Sequence, residues 1–213
     1  MGKPRSPNGR ARAVHDRLKS EYDAICELDH GSPFELLVAT ILSAQCTDVR
    51  VNKTTPALFD HYPGPFELAA AEQGELEALV HPTGFYKNKA KNLVKMANQL
   101  LDAHEGEVPK QLEDLVQLGG VGRKTANVIR SVAFGLPGLP VDTHVGRLAR
   151  RLGLTQEEDP VKVEMELNPM VPQYERGEFS LRVILHGRQI CFARNPRCDI
   201  CVLNDFCPAA FDF

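Results

Sequence analysis

The sequence predicts an all-α fold, on three observations. Apolar residues recur at helical rather than alternating spacing over residues 13–28, 34–42, 93–101, 161–171 and 179–190. No stretch shows the period-two alternation of a half-buried strand. Turn signals at Pro63-Gly64, Gly119-Gly120 and Pro137-Gly138 cut the chain into pieces of about 10 to 20 residues, the length of ordinary globular helices. The chain has 213 residues, enough for one or two compact domains of roughly 100 to 200 residues each. Spacing alone marks no linker between domains.

Taken in order, the chain opens on Lys3, Pro4, Arg5, Pro7 and Asn8, which read as a flexible tail; Met1, Gly2 and Ser6 also match the short and weak myristoylation pattern. No apolar run follows those basic residues, and nowhere do about 18 apolar residues follow one another, so neither a secretory leader nor a membrane span is expected. Cys26 and Cys46 stand apart in stretches of helical spacing and are expected to be small buried apolar residues. Acidic residues gather in 102–114 and 157–166, whereas 85–95 has four Lys and 182–197 four Arg, each without an acid. The net charge of −3 argues against nucleic acid as a partner, because phosphate contacts need Lys and Arg. The segregation argues the other way, since it allows a one-sided basic face; each run equally fits a solvated helix face.

Residues 115–129 read as a short helix, a Gly-rich turn and the start of a second helix. With side chains absent at Gly119, Gly120 and Gly122, a phosphate could approach the turn's amides at the positive end of the following helix. An ordinary glycine-terminated helix fits the same residues. Lys124 lies in the first turn of that second helix, where the dipole disfavours an ammonium and so favours a nucleophilic amine. Alone it also fits a solvated phosphate contact. Eighteen residues later, Asp142 stands as the N-cap of another helical stretch, either a plain cap or a carboxylate that stabilises positive charge developing on a sugar.

Four of the six Cys form Cys191-x6-Cys198-x2-Cys201-x5-Cys207, a spacing that lets thiolates converge where the backbone loops round a metal site. Asn195, Pro196 and Asp199 suit such a loop. An intracellular chain disfavours disulfides. Four thiolates serve zinc and an iron-sulfur cluster equally, so the spacing leaves the metal open.

Together, residues 118–126, 141–144 and the cysteine set resemble the endonuclease III family, as do 41–48 and 84–90. The resemblance runs from about Pro33 to Pro208. It implies a two-domain helix-hairpin-helix glycosylase fold: a six-helix barrel over 23–135, and a discontinuous [4Fe-4S] cluster domain from 1–22 and 136–213. It implies a bifunctional DNA glycosylase and abasic-site lyase of base excision repair that removes oxidised pyrimidines and nicks the strand by β-elimination. Lys124 would form the Schiff base, Asp142 would be the catalytic carboxylate, and Cys191, Cys198, Cys201 and Cys207 would hold the [4Fe-4S] cluster. Gly119, Gly120, Val121, Gly122 and Arg123 would grip DNA, with Arg194 and Arg197 on phosphates. Gln45 and Phe85 would fill the gap left by an extruded nucleotide, although Phe85 also fits a core aromatic. Double-stranded DNA with a damaged base or abasic site is the implied partner, bound in a cleft between the domains by a monomer in the cytoplasm, nucleoid-associated in a bacterium. Gly119 stands where the family often has Pro, which implies a looser turn, and Phe85 is bulkier than the usual Leu. Mismatch adenine glycosylases share the fold and cluster but usually lack the lysine. A non-catalytic DNA-binding or redox-sensing protein is the alternative from another class.

Overall fold

A computed structural model describes residues 3–212; Met1 and Gly2, on which the myristoylation pattern rests, lie outside the described residues. Among the described residues there is no strand. The helices in chain order are α1 (Pro7–Glu21), α2 (Pro33–Leu42), α3 (Asp48–His61), α4 (Pro65–Ala69), α5 (Gln73–Val80), α6 (Tyr86–His104), α7 (Leu112–Leu115), α8 (Arg123–Val128), α9 (Thr143–Arg151), α10 (Pro160–Leu167) and α11 (Arg176–Gln189). A π-helical turn, Ile129–Ala133, continues α8. None is long and apolar enough to cross a membrane.

Local chemistry sets most helix starts. Ser6, Ser32, Thr47, Glu72, Asp142 and Asp159 each accept a first-turn amide, and Pro occupies an opening position in α1, α2 and α10. The Ser6 cap corrects the reading of the N-terminal residues as a tail: from Pro7 on they are helix, and α1 buries Ala11, Val14 and Leu18.

By contacts the chain divides into two compact units, Cys26–Gly135 and a discontinuous one of Met1–Ile25 with Leu136–Phe213. In the first, α6 presents Ala90, Leu93, Met96, Ala97 and Leu100 on one face and packs on α2, α4 and α5. In the second, α1, α9 and α11 pack together, and Leu148, Val163, Phe179 and Leu203 close the core. The apolar spacing over 13–28 does not make one helix. Val14 and Leu18 serve one core and Leu28 the other, and the chain is extended from Tyr22.

Candidate functional site

The Cys26–Gly135 unit carries the hairpin. The Val121 amide donates to Leu118 O at 3.1 Å, and Gly120 turns the chain with φ 77°, a left-handed conformation that glycine adopts without strain. Gly119 is not a loose joint. A Cβ there would lie 2.7 Å from the main-chain oxygen of Asn92 on α6. Gln99, also on α6, accepts the Gly119 amide at 2.8 Å and donates to Gln117 O at 2.9 Å. The turn is thus seated on α6, contrary to the looser turn that replacing Pro with Gly implied. The amides of Gly119 and Val121 are used internally, and the Val121 side chain is buried. Gly120 and Gly122 are exposed and Arg123 is half-buried. Gly122 caps α8 without a side-chain hydrogen bond, and Lys124 is exposed one residue into that helix.

Gln45 and Phe85 occupy two loops of the same unit. Both are exposed and left-handed, at φ 54° and 49°. Phe85 keeps 67% of its surface accessible, which removes the alternative of a core aromatic. The lysine run over 85–95 is not one face: Lys87, Lys91 and Lys95 are exposed, whereas Lys89 is buried. Lys89 Nζ donates to Leu42 O and Thr83 O, each at 2.8 Å. Burial pushes its amine below the ordinary lysine value, an effect that the Cys46 thiol partly opposes. The arginine run over 182–197 divides similarly, with Arg182 buried against Tyr22 O and Glu178 and with Arg188, Arg194 and Arg197 exposed. Cys26 and Cys46 lie outside helices and are half-buried, not interior. Burial raises the Cys26 thiol, while the charge of Lys124 acts to lower it.

In the discontinuous unit, Asp142 is half-buried and caps α9, its Oδ1 accepting the Val145 amide at 2.9 Å. It lines an open pocket with Thr143, Arg147 and Arg150. All six cysteines are unbridged. Cys191, Cys198, Cys201 and Cys207 line one cavity whose remaining wall includes Leu148, Leu152, Leu203, Arg151 and His186. Arg151 Nη1 donates to Cys191 Sγ at 3.2 Å, and His186 Nε2 lies 3.2 Å from Cys201 Sγ. The Leu203 amide donates to Cys201 Sγ at 3.4 Å. Burial, followed by the neighbouring thiols, pushes Cys201 up to about 11, and burial also raises Cys207. Thiols so placed ionise when bound positive charge compensates them. Among the described residues no three His, Cys, Asp or Glu side chains are grouped to hold a single metal ion; the four sulfurs surround a space. An apolar cavity ringed by four thiols with N–H donors on their sulfurs fits an iron-sulfur cluster.

Residues 38–173 match the family model described as HhH-GPD superfamily base excision DNA repair protein, and residues 191–207 match the iron-sulfur binding domain of endonuclease III. A curated endonuclease III of Synechocystis sp. is 50% identical over 212 residues, 99% of this chain and 97% of that one. The chain belongs to the endonuclease III family. A solved non-covalent endonuclease III–DNA complex superposes with a TM-score of 0.90 at 42% identity, covering 95% of this chain and 96% of that one. A trapped endonuclease III–DNA covalent intermediate superposes with a TM-score of 0.91 at 43% identity, over the same shares of both chains. The two-domain helix-hairpin-helix glycosylase fold of the endonuclease III family is therefore the fold of this chain, and its cofactor is a [4Fe-4S] cluster. Motif reading missed Lys89 and Gln99, two polar residues of α6: Lys89 lies on its apolar stripe, four before Leu93, and Gln99 lies beside it, one before Leu100.

Proposed function

We propose that the chain excises a damaged base and nicks the strand through Lys124 and Asp142. It is a bifunctional DNA glycosylase and abasic-site lyase of base excision repair acting on DNA, and oxidised pyrimidines in double-stranded DNA are the proposed substrate class. The lone pair of the Lys124 amine forms a bond to C1′ of the extruded nucleotide as the C1′–base bond breaks, and the base leaves with the electron pair of the broken bond and takes up a proton from water. The Asp142 carboxylate stabilises positive charge on the sugar and takes a proton from the attacking amine. Ring opening gives an imine. Loss of a C2′ proton then expels the 3′ phosphate, and water releases the enzyme.

Residues 23–135 act in this reading as the six-helix barrel that carries Lys124. Residues 1–22 with 136–213 act as the cluster domain, in which Cys191, Cys198, Cys201 and Cys207 ligate the cluster. The cluster supplies a rigid cross-link, not a chemical step, and its loop presents Arg194 and Arg197 to phosphates. Gly120, Gly122 and Arg123 meet the backbone beside Lys124. Gln45 replaces lost base-pair hydrogen bonds and Phe85 wedges between stacked bases. The enzyme works as a monomer, in the nucleoid where the cell is bacterial.

The observation that carries the reading is the exposed amine of Lys124 on the first turn of α8, directly after the hairpin turn. Borohydride trapping on abasic-site DNA tests it. A covalent adduct is expected with the native chain, none with Lys124→Ala, and a reduced rate of formation with Asp142→Asn. An undiminished adduct in Lys124→Ala would reject the assignment.

A further inference from the structure

Lys89 is 4% exposed and sits on the apolar face of α6, in line with Leu93 and Leu100. An ammonium taken out of water needs compensation. Here both partners are main-chain carbonyls, Leu42 O and Thr83 O, each 2.8 Å from Nζ. Leu42 is the last residue of α2, so its carbonyl is one of the acceptors that a helix end leaves without an intrahelical donor. It stands three residues before Gln45. Thr83 closes the 3-10 turn His81–Thr83, two residues before Phe85.

Beyond each carbonyl the chain passes through a left-handed residue that is not glycine, Gln45 at φ 54° and Phe85 at φ 49°. Such a conformation persists where the surroundings over-determine it. The Lys89 amide donates to Phe85 O at 3.1 Å, closing the first turn of α6, so Lys89 meets this loop twice, with its main chain at Phe85 and with its side chain at Thr83. Packing alone does not require a charge here. A methionine would fill the same volume with nothing to desolvate.

We infer that Lys89 is a positioning residue whose buried ammonium ties the Gln45 loop to the Phe85 loop, so that both side chains enter the gap left by an extruded nucleotide together. The inference rests on the reading of Gln45 and Phe85 as gap-filling residues. It makes Lys89 a determinant of duplex substrates, where an opposite strand must be held open, more than of single strands, where there is no such gap.

The test compares single-turnover nicking of an abasic site in duplex and in single-stranded DNA, using cluster-loaded full chains. Phe85→Ala and Lys89→Met should each lower the duplex to single-strand ratio about tenfold. The double variant should fall little further, because residues acting through one another are not additive. Lys89→Arg, which keeps a cation with several donors, should restore part of the ratio. The tie is overturned if Lys89→Met loses both activities equally, if it leaves the ratio intact while Phe85→Ala lowers it, or if the double variant falls by the full product of about a hundredfold. If neither Gln45→Ala nor Phe85→Ala moves the ratio, the gap-filling reading itself fails and the tie falls with it. Should Lys89→Met not fold, Lys89→Gln, which is shorter and uncharged, is held to the same ratio.

Discussion

The interior of Cys26–Gly135 is closed by apolar side chains from α2 to α8, and the charge of Lys89 inside it is met by two carbonyls of its own main chain. The interior of the discontinuous unit is of another kind. It buries the ionisable side chains of His15, Glu164, Arg182 and His186, and His186 lines the cavity of the four clustered thiols. Its stretch from Ile190 to Asp212 contains no helix longer than the three-residue turn Cys198–Ile200. One unit is therefore held by burial of continuous helices. In the other, a segment of turns needs a cross-link, because Leu203 and Phe206 are its buried apolar residues and two such side chains offset little of the entropy of ordering it.

The difference is sharpest if the cross-link is removed. Cys198→Ser should cost more than about 4 kcal/mol in the discontinuous unit, the range of a lost metal site. Iron and sulfide content should fall together, and melting followed by circular dichroism should split into two transitions. A single transition at the native temperature, or one equivalent of zinc in place of iron, would break the comparison. A smaller effect is expected where the first unit is close-packed. Gly119→Ala places a methyl against Asn92 O and should cost about 1 to 3 kcal/mol in denaturant unfolding, with iron content unchanged.

The smallest effect concerns pH. Burial holds the Lys89 amine below its ordinary value, so just below the ordinary lysine range the unfolded chain binds more protons than the folded one. Stability should then rise with pH through that window. Subtracting the profile of Lys89→Met isolates the contribution; a difference that is flat or falls with pH would contradict the burial of a charged amine.

What was legible in the sequence was contiguous in it. The hairpin glycines, Lys124, the Asp142 cap and the cysteine spacing each occupy a short window, and each is placed by local rules for turns and caps. What was not legible depends on distant partners. Gly119 is set by the oxygen of Asn92, 27 residues away, and no property of the turn itself announces that contact. Lys89 looked like one charge in a basic run because its neighbours Lys87 and Lys91 are exposed; its register with Leu93, not its charge, was the better guide. The end of α1 at Glu21 is not legible in the sequence, because periodicity cannot say which core a residue joins.

The unit made from two distant stretches also has a history. Its first helix is made before residues 26–135, a separation of 110 residues that takes on the order of ten seconds to synthesise. Through that interval Ala11, Val14 and Leu18 lack the partner surface supplied by residues 136–213, and at its end the intervening unit holds all of its own chain. Metal loading must wait longer still, until Cys207 has emerged, so a nascent chain passes through a stage in which one half is finished and the other is a sticky helix with nowhere to dock.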